Sequence, residues 1–422
     1  MPRTGQEGGR ENLLARSDDW GDPNRGVIRS RPEEGAMSEK TIGIETLAVH
    51  AGERRPGPEG SVVFPIFQGT VYAIPPGEDY HALRYLRLSS SPTQLYLHDK
   101  LAALEGAPAA LATASGMAAV SSIVLAFLKK GDHLLAGDCL YGGTHDLLTR
   151  HFDDLGLAYS FVDMERPDSW ASAARPTTRL FLIETITNPL MRVPPVKEVV
   201  RFARAKGILT VIDNTFASPV NYRPLAHGID LVFHSATKYL NGHSDLVAGC
   251  VLGSKEHVEK VRKTVNHFGG SLDPHAAFLL ARGIKTLAVR VQAHNRNGLA
   301  LSRFLVSHSK VAAVNYPGLE SHPDHGVARE ILSGFGGMLS LRLKGGLPAA
   351  EATIAALRLP TFAPSLGGVE TLITRPAISS HAGLKRSERE RLGITDDLIR
   401  VSTGIESAED LIDDFRQALE QA

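Results

Sequence analysis

The chain has 422 residues, of which 43% are hydrophobic and 22% charged. That length exceeds what one hydrophobic core usually spans and predicts more than one domain. Lysine plus arginine (46) equals aspartate plus glutamate (46), so no overall field favours nucleic acid or an anionic membrane, and an anionic ligand must be held by local devices.

In chain order, residues 1–41 are polar and rich in Gly, Arg and Glu, without the apolar core of a signal peptide. They read as a disordered leader, with Met37 as a candidate start and organised chain from Ile42. Residues 42–92 read as an N-terminal arm. "TQLYLHDKLAALEG" (93–106) has helical apolar spacing closed by Gly106. "AALATAS" (109–115) is a short buried strand running into the helix "GMAAVSSIVLAFLKKG" (116–131). Short apolar runs follow at 132–137, 157–162, 178–184, 207–213, 230–235 and 246–253, mostly separated by helical or irregular segments such as "PVKEVVRFARAKG" (195–207). Near-continuous apolar strands alternating with helices predict an α/β fold with a mostly parallel sheet covered on both faces, placed at 93–285. "PHAAFLLARGIKTLAVRVQAHNRNGLALSRFLVSH" (274–308) reads as one long linking helix. The remainder, 286–422, mixes strands (338–344, 398–403) with helices (349–359, 408–422) and reads as a smaller α+β domain.

No stretch approaches the roughly 20 apolar residues that cross a bilayer. Cys139 and Cys250, the two cysteines, lie in apolar runs and read as reduced core thiols of a cytoplasmic protein. No phosphate-binding G-x-x-x-x-G-K-[ST] loop and no G-x-S-x-G elbow occur, "GFGGML" (334–339) fails the dinucleotide fingerprint at its last glycine, and no histidines show metal-ligand spacing. The function is therefore sought at the carboxyl ends of the strands, where ligands gather in open α/β sheets.

Polar residues stand at these ends: Ser115–Gly116–Met117, Asp138 to Tyr141, Glu184 to Asn188, Asp213–Asn214 and Ser235 to Lys238. Ser115–Gly116–Met117 opens a helix, whose free amides and dipole suit a phosphate; Ser235 and Thr237 can add hydroxyl donors. Asp213 can bind a protonated heterocyclic nitrogen. Lys238 can form a Schiff base if burial or a cationic neighbour depresses its pKa. Taken alone, each is ordinary: a solvated loop lysine, an N-cap, a turn. Together in this order they match the aldehyde, ring nitrogen and phosphate of pyridoxal phosphate.

The motifs "TASGMAAV" (113–120), "DCLYGGT" (138–144), "IETITNPLMRV" (183–193), "VIDNTFASP" (211–219), "HSATKYLNGHSD" (234–245), "APSLGGVETL" (363–372) and "LIRVSTGIE" (398–406) resemble the Cys/Met-metabolism family of pyridoxal-phosphate enzymes. Its members include cystathionine γ-synthases, γ- and β-lyases and methionine γ-lyases. The resemblance spans about residues 43–421 and implies the aspartate-aminotransferase-like fold (fold type I). It also implies γ-elimination or γ-replacement on a sulfur or O-acylhomoserine-type amino acid, with β-elimination or methionine γ-lyase activity as the alternative.

By the same resemblance, Lys238 is the Schiff-base lysine, Asp213 the partner of the ring nitrogen, and Tyr141 the residue stacked on the ring and active in proton transfer. Ser115, Gly116, Met117, Ser235 and Thr237 hold the phosphate. Asn188 lies near the cofactor hydroxyl and substrate carboxylate, Arg400 binds that carboxylate, and Ser365 helps place the lysine. "RYLRLSSSPTQ" (84–94) resembles a Y-x-R segment in which Tyr85 and Arg87 reach the cofactor of a neighbouring subunit, within a homotetramer built as a dimer of dimers. Ser91 takes the family's Asn place, and the run is one residue longer. "NGHSD" (241–245) fits the γ-synthase and lyase branches, and Gly143 stands where methionine γ-lyases carry cysteine. Arg84 and Pro364 occupy places that are acidic in enzymes handling cystathionine or cysteine. Arg84 is thus a substrate-contact candidate that favours an anionic or apolar distal group.

Overall fold

A computed structural model describes residues 42–53, 56–74, 76–77 and 83–422. The leader expected at 1–41 lies outside the described residues.

Among the described residues, twelve strands form two sheets. The larger contains β1 (Ala109–Thr113), β2 (His133–Gly137), β3 (Ala158–Val162), β4 (Thr178–Glu184), β5 (Leu209–Asp213), β6 (Leu231–His234) and β7 (Gly249–Gly253), ordered β1-β7-β6-β5-β4-β2-β3. The pairings from β6 through to β3 are parallel; β7 alone runs antiparallel to both its neighbours. The mostly parallel sheet read from the apolar runs is therefore present.

Side-chain alternation explains why these strands look continuously apolar. Leu135, Phe181, Ile183 and Ile212 enter one core, under the helices Pro92–Glu105, Val196–Lys206 and Pro274–Ile284. Leu134, Leu180, Leu182 and Val211 enter the core on the opposite face, under Gly116–Phe127 and Lys255–Phe268. Both faces are dry, so both sets must be apolar. The Pro92–Glu105 helix starts with a reciprocal cap: Ser91 Oγ accepts from the Gln94 amide, and the Gln94 side chain accepts from the Ser91 amide. Ser91, the residue in the family's Asn place, thus sets where this helix begins.

The smaller sheet contains β8 (Val311–Asn315), β9 (Met338–Leu343), β10 (Thr361–Phe362), β11 (Leu372–Thr374) and β12 (Ile399–Ser402), ordered β10-β11-β12-β9-β8. Strands β9 and β12 match the expected runs. The helices Leu287–Ser307 and Ala408–Glu420 close its core through Leu301 and Phe415.

The single linking helix expected at 274–308 is two helices, Pro274–Ile284 and Leu287–Ser307. Gly283 packs so tightly on the Asn241 backbone that a Cβ there would lie 2.4 Å from the Asn241 carbonyl oxygen. Beyond the break, buried Arg290 reaches back to the Gly283 and Tyr239 carbonyls at 2.9 and 2.8 Å. The interruption thus couples the helix pair to the segment that follows Lys238.

Candidate active site

The carboxyl ends of β1, β4, β5 and β6 open into a cavity of about 760 Å³, closed on its far side by residues 362–366, Thr374, Ile378 and Arg400 from around the smaller sheet. Lys238 follows β6, and its Nζ donates to Ser365 Oγ at 2.7 Å. Burial, and secondarily the nearby Arg400 charge, lower the Lys238 pKa to about 8. A free amine is accordingly accessible near neutral pH. Ser365 has φ 90°, a left-handed backbone that a non-glycine residue adopts only where its surroundings enforce it. Its two oxygens show what enforces it: the hydroxyl takes the Lys238 bond, and the carbonyl accepts from Arg400 Nη2 at 2.9 Å.

Arg400 is buried in β12. Its Nη1 donates to Asn188 Oδ1 at 3.1 Å, while Nε has no hydrogen-bond partner among the described residues. Burial lowers its pKa to about 10, leaving it cationic at neutral pH. A buried guanidinium with an orphaned N–H suits a carboxylate ligand, whose two oxygens match the planar fork.

On the opposite wall, Ser115 Oγ accepts from the Ala118 amide at 3.0 Å and caps the Gly116–Phe127 helix. The Gly116 and Met117 amides open that helix and lack intrahelical acceptors. A Cβ on Gly116 would come 2.9 Å from Ser235 Cβ, so only glycine lets the two loops meet. The Ser235 hydroxyl, which lines the cavity, has no hydrogen-bond partner among the described residues. Thr237 also lines it, but its hydroxyl donates to the Ala248 carbonyl (3.1 Å) and accepts from the Ala248 amide (3.0 Å). Tyr141 lines the cavity with its ring half exposed, and Asn188 lies buried beside Arg400.

Asp213 ends β5, held by the Thr215 amide at 2.9 Å and by the Thr215 hydroxyl. Its parallel-register partner on β4 is Glu184, a strand-end residue to which sequence reasoning gave no role. Burial raises both carboxyls: the Asp213 charge raises Glu184 well above the usual range, while the Thr215 bonds draw Asp213 back down. Glu184 is thus the partner pushed furthest towards its protonated form, while the Thr215 bonds restrain the rise at Asp213. Glu184 also accepts the Tyr141 amide, fixing the backbone that carries that ring. No sequence signal announces this pair, because the adjacency of β4 and β5 is a property of the sheet order. Arg290 was likewise missed: it occupies the space above Gly242 (φ 74°), where a Cβ would fall 1.9 Å from Nη1.

Three predicted site residues stay outside the cavity lining. Tyr85 is half-buried, Arg84 and Arg87 are exposed, and the Arg87 guanidinium sits 5.5 Å above the Tyr85 ring while donating to the Asn266 carbonyl at 2.9 Å. Among the described residues, no group of His, Cys, Asp or Glu could hold a metal ion, and no helix is long and apolar enough to cross a membrane.

The model of the Cys/Met metabolism PLP-dependent enzymes matches residues 45–420. The chain belongs to this family. It is an enzyme, and pyridoxal phosphate is its cofactor. The cavity fits that group: it offers an amine of lowered pKa, two helix-opening amides beside an unpartnered hydroxyl, and the Asp213 carboxylate at the end of β5. The chain is 41% identical over 377 residues to a cystathionine γ-lyase of Bacillus subtilis, covering 89% of this chain and 99% of that protein. It is 38% identical to an L-methionine γ-lyase of Fusobacterium nucleatum, covering 91% and 100%. Among solved structures, a cystathionine γ-synthase from Xanthomonas oryzae aligns with a TM-score of 0.87 and 39% identity, over 90% of this chain and 99% of that one. The shared fold is the type I fold expected from the motifs.

Proposed function

We propose that this enzyme catalyses γ-elimination or γ-replacement on a sulfur-containing or O-acylhomoserine-type amino acid. The observation that carries the reading is the convergence of Lys238, Ser365 and Arg400 in one cavity, joined by the 2.7 and 2.9 Å bonds. The names of the three proteins above support it, each being a γ-lyase or γ-synthase.

Bound in the cavity, pyridoxal phosphate supplies an aldehyde for the substrate amine and a ring that draws electrons from the α-carbon. The chain's residues do the rest. Gly116, Met117, Ser115, Ser235 and Thr237 hold the phosphate, and Asp213 holds the ring nitrogen in its protonated form. Arg400 and Asn188 bind the substrate α-carboxylate and so orient the α-proton. Lys238, once released from its anchoring role, takes that proton and carries protons between substrate carbons. Ser365 positions its amine, and Tyr141 covers the ring and assists proton transfer. β-Elimination is the second reading: it needs only the first proton removal, which this same Lys238–Arg400 geometry provides.

Tyr85 and Arg87 act across a subunit interface, on the phosphate held by a neighbouring chain, within a cytoplasmic homotetramer made of two dimers. That neither lines the cavity of its own chain supports this, as does the exposure of Val62, Val63, Val71 and Ile74 on the same arm. Arg84 then faces the neighbour's substrate; if Arg84→Glu leaves kcat/KM unchanged for every substrate, that contact is absent.

The test is a product assay with cystathionine, cysteine, methionine, and O-succinylhomoserine plus cysteine, reading 2-oxo acid against new thioether. γ-Products are expected, and Lys238→Ala should remove them all. Full turnover by Lys238→Ala would overturn the reading.

A further inference from the structure

The helix Leu287–Ser307 buries Leu287, Val291, Leu301 and Leu305, yet three polar residues are buried with them: Arg290, His294 and Asn297, at 3%, 0% and 4% exposure. Positions i, i+4 and i+7 lie along one helix face, and a core-facing helix ordinarily keeps such a face apolar. Burial alone lowers the Arg290 pKa, to about 10, with no carboxylate offsetting it. A cation retained in the interior on carbonyl partners costs stability that an apolar side chain would not. What the three residues hold suggests why they are there.

At one end, Arg290 serves the turn that carries Lys238. Its Nη1 donates to the Tyr239 carbonyl at 2.8 Å, and Nη2 donates to the Gly283 and Leu240 carbonyls at 2.9 and 3.4 Å. Tyr239 and Leu240 directly follow Lys238 and are buried. Gly367 presses on Tyr239: a Cβ there would lie 2.8 Å from the Tyr239 amide nitrogen. Gly367 stands two residues beyond Ser365, whose hydroxyl takes the Lys238 amine. The backbone leaving Lys238 is thus fixed both by Arg290 and by the Ser365 loop.

At the other end, His294 and Asn297 hold the chain leaving β12, the strand of Arg400. His294 Nδ1 bonds to the Thr403 carbonyl at 2.7 Å; a carbonyl only accepts, so this nitrogen carries the ring proton. Asn297 Nδ2 donates to the Gly404 and Glu406 carbonyls at 3.0 and 2.8 Å. The His294 ring also meets the Tyr239 ring edge-on, with centroids 5.1 Å apart, which joins the two ends. At a rise of 1.5 Å per residue the stripe is about 10 Å long. Buried hydrogen bonds of this kind hold their partners in one arrangement.

We propose that this buried polar stripe is a brace that sets the separation between the Lys238 amine and the Arg400 guanidinium, with Arg290 a positioning residue for Lys238, and His294 and Asn297 positioning residues for Arg400. The proposal rests on the reading of Lys238 as the cofactor's point of attachment and Arg400 as the carboxylate site. An amino acid must engage both places at once, through its amine and its α-carboxylate. A simple amine needs only the first.

The test titrates the bound cofactor's absorbance in the pyridoxal-phosphate-loaded enzyme with alanine and with ethylamine, which is alanine without its carboxylate. Wild type should respond to alanine at much the lower concentration. Arg290→Met should cut that preference at least about tenfold, the scale expected when a binding group is misplaced by about an ångström, and leave the ethylamine midpoint unchanged. Asn297→Leu, acting from the other end, should do the same and serves alone if Arg290→Met does not fold. Urea midpoints of the cofactor-free proteins report lost stability separately. Lower midpoints with the alanine preference intact would overturn the brace and leave a purely structural stripe. Equal response of wild type to alanine and ethylamine, or response to neither, contradicts instead the reading of Arg400 and Lys238 on which the brace rests.

Discussion

The two sheets bring different kinds of residue to one cavity. The larger delivers Ser115, Glu184, Asp213 and Ser235 at or just beyond the ends of strands buried on both faces, where neighbouring positions are fixed by the ladder. The smaller delivers Arg400 from a central strand, but Ser365, Phe362 and Ile378 come from an edge strand and the segments around it. Rigid strand ends suit a group that stays bound through every turnover. Loops and edges suit a wall that can differ among enzymes sharing one chemistry. The comparison teaches that one cavity is built from two kinds of wall, one fixed by buried strand ends and one by an edge strand and loops.

Substitutions can break that division. On the proposed role of Asp213 as partner of the ring nitrogen, Asp213→Asn should lower kcat several hundredfold, since an unpaired buried charge costs about 3–5 kcal/mol. KM should change far less, as steady-state rates would show. Arg400→Lys keeps the charge but loses the fork that holds Asn188 and Ser365. It should raise KM about 10- to 100-fold, from the loss of a charge-assisted pair of hydrogen bonds, while equilibrium dialysis finds cofactor retention unchanged. Cofactor loss in Arg400→Lys would dissolve the proposed division of labour.

A smaller effect sharpens the account of Lys238, which joins the two regions. Its pKa falls from 10.5 to about 8 on folding, chiefly through burial and then through Arg400. Below pH 8 both folded and unfolded chains carry the proton, and the folded state bears the whole penalty of burying it. Between pH 8 and 10.5 the unfolded chain binds more protons, so this contribution to stability improves as pH rises. In cofactor-free protein, Lys238→Met should therefore raise the urea midpoint more at pH 7 than at pH 10.5. Equal gains at both would contradict the lowered pKa.

The same contrast explains what could be read from the sequence. Strands of the larger sheet announced themselves because burial on both faces demands unbroken apolar runs, and several polar residues ending those runs line the cavity. Lys238, Asp213 and Ser115 were legible for that reason, and the motif around Arg400 made that residue legible too. Strands β8, β10 and β11 were not: "VAAVN" is short and partly exposed, and β10 and β11 have two and three residues. The helix break at Lys285–Thr286 was hidden because its cause, the contact between Gly283 and Asn241, joins segments about 40 residues apart in the chain. Glu184 was legible as a strand-end polar residue, but its partnership with Asp213 was not, because that depends on β4 and β5 being neighbours.

The central claim is that the Lys238 amine is the cofactor's point of attachment. Hydride reduction of the pyridoxal-phosphate-loaded enzyme, followed by peptide mass analysis, tests it most directly. The account predicts one cofactor-derived mass increment per chain, on the peptide containing Lys238. An increment located on another lysine, or none at all, would contradict it.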